Sequence, residues 1–127
     1  MSKKILMIDD DDELVESVKI LLEAKGYEFL SAPSSAEGFE MAKKEQPSLI
    51  LLDVMMTHDS DGLDGAVKLK NEKLTADIPV IMMTGIRKPD NLLESYASDE
   101  KFSNIKGVYE KPLKPETLIK LVNKHVR

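Results

Sequence analysis

The residues of this chain that could do chemistry stand directly after short runs suited to β-strands. These runs are followed by an acidic pair, a single acid, a hydroxyl and a lysine, which are Asp9-Asp10, Asp53, Thr84 and Lys111. If the runs are parallel strands of one open sheet, their carboxyl ends lie along the same edge. The pattern therefore predicts that carboxylates, a hydroxyl and an ammonium group converge at one place.

Neighbouring carboxylates repel one another, and a hard divalent cation relieves that repulsion. Mg²⁺ prefers a few carboxylates, backbone carbonyls, waters and phosphate oxygens. The expected protein ligands are Asp9 or Asp10 together with Asp53, and the backbone carbonyl of Met55 is a further candidate. The chain contains no cysteine, which excludes a thiolate metal site and a cysteine nucleophile.

A carboxylate can also act as a nucleophile toward phosphorus. Asp53 is best placed for this, because it stands alone at the end of the apolar run Leu49–Leu52. Lys111 can pair with a phosphoryl oxygen, and the Thr84 hydroxyl can donate to another. Metal, ammonium and hydroxyl together would neutralise the charge on a transferring phosphoryl group. The set predicts phosphoryl transfer to Asp53.

Each of these residues also has a simpler interpretation. Asp9–Asp12 could cap a helix and interact with its dipole. Asp53 and Thr84 could begin turns, and Lys111 could be a surface lysine. The two histidines of the chain are expected to be solvated. It is the joint occurrence of these residues at the ends of four of the five predicted strands that favours a shared chemical role.

The elements that must position these residues alternate along the chain. Strands are predicted at Lys4–Ile8, Tyr27–Ser31, Ser48–Asp53, Pro79–Met83 and Gly107–Glu110. Helices are predicted between Leu14 and Gly26, over Ser35–Glu45, around Leu63–Leu74, over Pro89–Ser98 and from Pro115 onward. Alternation of this kind predicts a parallel sheet covered by helices on both faces.

Four segments of the sequence resemble the signature segments of response-regulator receiver domains. They are Ile5–Asp11, Leu51–Met56, Met83–Gly85 and Glu110–Leu113. The resemblance implies a flavodoxin-like, doubly wound three-layer α/β sandwich, with a five-stranded parallel sheet of order 2-1-3-4-5 and five helices. It covers essentially the whole chain, so we expect residues 1–127 to form one receiver domain without an output domain.

The resemblance also implies a role for each residue. Asp9 and Asp10 become the acidic pair that holds Mg²⁺, and Asp53 becomes the phosphorylated aspartate. Thr84 becomes the switch hydroxyl, and Lys111 becomes the lysine that contacts the phosphoryl group.

The segment around this lysine carries two further expectations. The resemblance implies a cis Lys111–Pro112 peptide bond, a state almost confined to X-Pro bonds. The switch aromatic of such domains normally lies three residues before the lysine, where Val108 stands. Tyr109 is the neighbouring candidate, although alternation along a strand would point it the other way unless the strand bulges.

Two further departures concern the loops. Thr57 stands where a proline is usual, and the stretch between Thr84 and Lys111 is longer than is typical.

The function implied by the resemblance is phosphorelay signal transduction. A histidine kinase or a histidine phosphotransferase would donate the phosphoryl group from a phosphohistidine, and phosphorylation would switch a surface that binds an unknown protein target. The chain is then not an enzyme beyond catalysing its own phosphorylation and dephosphorylation. A phosphorylation-independent binding module of the same fold is an alternative, and so is an aspartate-nucleophile phosphatase, for which Asp9-x-Asp11 is a superficial match.

Composition narrows the possible partners. The formal net charge of −5 disfavours broad contact with nucleic acid phosphates. The apolar runs Leu49–Leu52 and Val80–Met83 are far too short to cross a membrane, and Lys3-Lys4 leads directly into a strand rather than a signal peptide. We expect a cytoplasmic protein, monomeric or weakly dimeric, that binds neither membrane nor nucleic acid.

Overall fold

The computed structural model describes residues 3–53, 59–84, 103–110 and 113–126, with the backbone alone for residues 59–64, 84 and 110. Strands occur at β1 (Lys4–Ile8), β2 (Glu28–Ala32), β3 (Leu49–Asp53), β4 (Val80–Thr84) and β5 (Ile105–Glu110). Helices occur at α1 (Asp12–Ala24), α2 (Ser35–Glu45), α3 (Asp59–Asn71) and α4 (Pro115–His125).

All neighbouring strands of the sheet are parallel, and their order is β2-β1-β3-β4-β5. This confirms the flavodoxin-like fold and the strand order predicted from the sequence. Four of the five predicted helices are found among the described residues, and the predicted helix Pro89–Ser98 lies outside them.

The central strands are apolar on both sides because each side faces a helical layer. On β1, Leu6 and Ile8 pack toward α2 and α3, whereas Ile5 and Met7 pack toward α1 and α4. We call these two groups of buried side chains the α2/α3 cluster and the α1/α4 cluster. All five residues of β3, Leu49–Asp53, are buried. Burial on both sides holds the backbone of β3 rigidly up to its final residue.

Helix ends explain where the chain leaves each layer. The side chain of Asp11 caps α1 by accepting a hydrogen bond from the backbone N–H of Leu14 at 3.1 Å. Ser34 caps α2 in the same way through the N–H of Glu37 at 3.2 Å. Gly26 follows α1 with a φ of 90°, a conformation that favours glycine. Asp11 belongs to the acidic stretch Asp9–Asp12, for which the sequence offered helix capping as the simpler interpretation.

Helix α2 lies unusually close to the end of β1. A Cβ atom added to Gly38 would lie 2.4 Å from Cδ1 of Ile8, so no larger residue fits without movement. Ile8 immediately precedes the acidic pair. The close approach therefore buries Ile8, the last residue of β1 before the acids.

Some element boundaries differ from the prediction for local reasons. Helix α3 begins at Asp59 rather than near Leu63, because the polar residues after position 58 form its first turn instead of a loop. Strand β5 begins at Ile105 rather than Gly107, because one extra residue of β5 separates the partners of Val80 and Ile81. Such a bulge breaks the alternation that sequence patterns rely on.

No helix in the described part of the chain is both long and apolar enough to cross a membrane.

Candidate functional site

The strand ends carry the predicted site residues to one edge of the sheet. Ile8 pairs with Leu52, so the next residues along the two strands, Asp9 and Asp53, lie side by side. Asp53 in turn pairs with Met83 of β4. The parallel register thus places the end of β3 between the ends of β1 and β4, as the order of the strands predicts.

Three carboxylates meet at this edge. One oxygen from each of Asp9, Asp10 and Asp53 lies within 4.8 Å of the other two. Asp9 and Asp53 are each only 2% exposed, whereas Asp10 is exposed. Two unit charges 4.8 Å apart repel by about 3 kcal/mol at an effective dielectric constant of about 20. A hard divalent cation among the three oxygens would relieve this repulsion.

The donor set fits Mg²⁺ better than a softer metal. All three side chains offer carboxylate oxygens, and the described part of the chain gathers no histidine into the group. Hard cations such as Mg²⁺ and Ca²⁺ select oxygen ligands, and Mg²⁺ is commonly held by one or two carboxylates with waters and substrate phosphate completing its shell. The partial exposure of the group through Asp10 leaves a side open to such additional ligands.

The backbone and side chain of Asp9 are both held in place. Its N–H donates to the carbonyl of Ala32 on β2 at 3.0 Å. Its Oδ1 accepts a hydrogen bond from the N–H of Asp11 at 2.9 Å. Because Asp11 also caps α1, the start of this helix and the orientation of Asp9 are linked through one residue.

Comparison with known proteins agrees with this geometry. The family model described as the response regulator receiver domain matches residues 5–123. The chain belongs to the response regulator receiver family.

Among curated receiver-containing proteins, the chain is 37% identical over 94 residues to the phosphate regulon transcriptional regulatory protein PhoB of Pseudomonas aeruginosa, a match over 74% of this chain and 41% of PhoB. It is 33% identical over 108 residues to the alkaline phosphatase synthesis transcriptional regulatory protein PhoP of Bacillus subtilis, over 85% of this chain and 39% of PhoP. The chain thus matches about two fifths of the length of these relatives.

Solved receiver structures match over nearly the full chain. The chemotaxis response regulator CheY4 of Vibrio cholerae superposes with a TM-score of 0.84 at 25% identity, over 99% of this chain and 100% of CheY4. A CheY-like receiver domain protein from Methanospirillum hungatei gives a TM-score of 0.81 at 28% identity, over 98% of this chain and 93% of that one.

The other predicted site residues of this receiver domain are placed less completely. Thr84 ends β4, and its backbone pairs with that of Glu110 at the end of β5. The Thr84 side chain lies outside the described structure, and so do Met55 and the Lys111–Pro112 bond. Their assigned roles, including the cis peptide, remain predictions.

Tyr109 lies on the opposite face of the sheet from Val108. The half-buried Tyr109 ring packs with the α1/α4 cluster, while Val108 belongs to the α2/α3 cluster. A Cβ atom on Gly107 would lie 2.9 Å from Cε2 of Tyr109, so the ring covers the backbone at Gly107. The bulge in β5 precedes these residues, and alternation holds through them as predicted. A switch role for Tyr109 remains a prediction.

Two polar residues near the opposite end of the sheet are buried, which the sequence did not predict. Thr75 donates its hydroxyl to the carbonyl of Leu69 at 2.6 Å, and Asn104 donates to the carbonyl of Ala66 at 3.1 Å. The Thr75 bond links α3 to the turn that follows it, and the Asn104 bond links α3 to the turn that precedes β5. Neither residue lies in a pattern that would have distinguished it from ordinary loop polarity.

Asp11 is the residue whose part in the site was underestimated. The sequence predicts only its capping role, whereas the structure also uses its backbone N–H to hold Asp9. Aspartate side chains often accept a hydrogen bond from the backbone N–H two residues further on, so the residue type at Asp9 was the signal that could have predicted this contact.

Proposed function

We propose that this receiver domain is the phospho-acceptor of a phosphorelay, in which Asp53 receives a phosphoryl group with Mg²⁺ bound beside it. The observation that carries the proposal is the acidic group itself: three carboxylates within 4.8 Å, one of them on the buried last residue of the central strand. A cluster of this kind is costly to fold unless it holds a cation, and it places a nucleophile beside that cation.

The reaction expected at this site is transfer from a phosphohistidine. A carboxylate oxygen of Asp53 forms a bond to phosphorus while the bond from phosphorus to the imidazole nitrogen breaks, and the departing imidazole keeps the electron pair. The product on this chain is an acyl phosphate. Bound Mg²⁺ supplies charge neutralisation for the phosphoryl oxygens during this transfer.

The protein contributes position and charge. The rigid end of β3 fixes the nucleophile, and Asp9 and Asp10 hold the cation beside it. In this proposal Lys111 pairs with one phosphoryl oxygen and the hydroxyl of Thr84 donates to another. Thr84 is the last residue of β4, which neighbours β3, and Lys111 directly follows β5, the next strand of the sheet. Both roles come from the receiver signature in the sequence.

The proposed output is a change of surface rather than turnover of a substrate. A phosphoryl group adds charge and strong hydrogen-bond acceptors at Asp53, which can shift a two-state element toward the form that binds a partner. The domain is therefore proposed to act in the cytoplasm between a histidine kinase or phosphotransferase and a protein target. Relatives named as transcriptional and chemotaxis regulators are consistent with such a signalling role.

Phosphorylation by a small acyl phosphate in Mg²⁺ buffer tests the proposal. Intact mass should rise by one phosphoryl group in the wild type, and the gain should disappear with EDTA or in Asp53→Asn. Asp77→Asn is a matched control, because Asp77 is an exposed carboxylate outside the acidic group. Absence of any gain in the wild type, or an undiminished gain in Asp53→Asn, would overturn the proposal.

Partner binding measured under the same phosphorylation conditions distinguishes the proposed function from a phosphorylation-independent binding module. Val108 occupies the place where receiver domains usually carry the switch aromatic, and the Tyr109 ring lies on the opposite, α1/α4 side of the sheet. The lack of an aromatic ring at the usual place motivates that alternative. A partner that bound equally well with and without Mg²⁺ and phosphodonor would favour it.

A further inference from the structure

The two acids of the pair that ends β1 are held very differently. Asp9 is 2% exposed, its backbone N–H donates a hydrogen bond to the carbonyl of Ala32, and its Oδ1 accepts a hydrogen bond from the N–H of Asp11. Asp10 is exposed. Adjacent residues of the same type therefore divide into an anchored carboxylate and a solvent-facing one.

We propose that Asp11 is a positioning residue for the cation site, acting through its backbone N–H on Asp9. Its hydrogen bond fixes the orientation of the Asp9 carboxylate before a cation arrives. The side chain of Asp11 has a separate task, because it caps α1 through the N–H of Leu14. The inference rests on the proposed function only in taking the acidic group to be a Mg²⁺ site.

The physical reason is the strict geometry of Mg²⁺. This ion demands nearly ideal octahedral coordination, so a carboxylate free to rotate loses affinity when it must be ordered on binding. Partners that orient metal ligands typically contribute about 10–100-fold to metal affinity. A donor to Asp9 also offsets part of the repulsion among the three acids while the site holds no cation.

A neutral series at position 11 separates the two tasks of the residue. Asp11→Asn keeps the cap and the N–H, Asp11→Ala keeps only the N–H, and Asp11→Pro keeps neither. All three variants remove the same charge, so differences among them do not reflect electrostatics. The φ of −88° at Asp11 is close to the range that proline adopts.

The readouts are the Mg²⁺ dissociation constant from calorimetry and stability from urea unfolding. We expect Asn and Ala variants to bind Mg²⁺ about equally, although the Ala variant is less stable for want of the cap. The Pro variant should bind Mg²⁺ about 10-fold more weakly than the Ala variant. Equal Mg²⁺ affinity of the Pro and Ala variants would overturn the proposal.

Hydrogen exchange of the Asp11 amide gives a second test if the proline variant does not fold. The wild-type amide should be protected without Mg²⁺, and Asp9→Ala should remove that protection while α1 stays protected. An Asp11 amide that exchanges freely in the wild type would overturn the proposal.

None of these experiments uses a phosphodonor, so their outcome is distinct from that of the phosphorylation assay. A chain that shows the expected affinity series but never gains a phosphoryl group would keep this inference and lose the proposed function. A wild type that binds no Mg²⁺ would contradict both.

Discussion

Neutralising Asp53 should stabilise the protein in the absence of Mg²⁺. The Asp53 carboxylate lies within 4.8 Å of both Asp9 and Asp10, and each charge at that distance contributes about 3 kcal/mol of repulsion at an effective dielectric constant of about 20. The repulsion from the exposed Asp10 is screened by water and salt. The N–H of Asp11 offsets part of the charge on Asp9. Asp53 also takes part in other interactions, which reduces the net gain expected from the substitution.

We therefore expect Asp53→Asn to raise the free energy of unfolding by about 1–3 kcal/mol in EDTA, which is less than the gross repulsion. Mg²⁺ should reverse this order. A ligand at 100 times its dissociation constant stabilises the folded state by about 2.7 kcal/mol, and the variant binds the cation more weakly. The gap between variant and wild type should thus shrink or change sign as Mg²⁺ is added.

Urea unfolding followed by circular dichroism measures both effects. Asp77→Asn serves as the control, since it removes an exposed carboxylate of the same kind and should change stability little in either buffer. An Asp53→Asn variant that is less stable than the wild type in EDTA would refute the reasoning about repulsion. A stability gap that ignores Mg²⁺ would refute the assignment of the cation to this group.

Two further predictions concern the scaffold. Gly38→Ala should destabilise the protein by about 1–2 kcal/mol in urea unfolding, because the approach of the new Cβ to Ile8 at 2.4 Å costs more than the ~1 kcal/mol that alanine gains over glycine within a helix. In the Ile8→Ala background the same Gly38→Ala change should cost little, because the atoms that the new Cβ meets are gone. A Gly38→Ala cost that is the same in both backgrounds would contradict the close approach. Burial, followed by Lys124 and Lys106, lowers the pKa of His125 below 6.5. The unfolded chain then binds more protons near that pH, so wild-type stability should fall relative to His125→Asn as the pH drops below about 6.5. Melting temperatures of the pair at about pH 7.5 and 5.5 check this, and a constant difference would count against it.

Much of this fold could be predicted because its signals are local and repeated. The run Leu49–Leu52 is apolar throughout and proves to be a central strand buried on both sides. Ser34 and Asp11 are of residue types that typically cap helices, and each accepts a backbone N–H from the first turn of its helix. The placement of Asp9 beside Asp53 follows from parallel strands of similar length, a property of topology that the alternation of elements implies.

The unpredicted features depend on contacts between distant parts of the chain. The extra residue in β5 shows only in its pairing with Val80 and Ile81. A glycine such as Gly38 is expected to destabilise a helix, and the close packing that requires it there involves the Ile8 side chain on β1. The sequence also could not predict which of Asp9 and Asp10 is buried, because the two residues are identical and adjacent. Their difference arises from the sheet on one side and the start of α1 on the other.

The difference between these two acids bears on how the site can be stable and still bind a cation. A fully buried acidic triad would carry an unscreened repulsion that few domains could tolerate, given folded states stable by only about 5–15 kcal/mol. A fully exposed triad would hold Mg²⁺ weakly, since water screens the attraction and the side chains must be ordered on binding. Burying Asp9 and Asp53 while leaving Asp10 in solvent lies between these limits. The buried Asp9 and Asp53 would then set the geometry of the proposed cation site, and the exposed Asp10 would leave the group accessible to solvent.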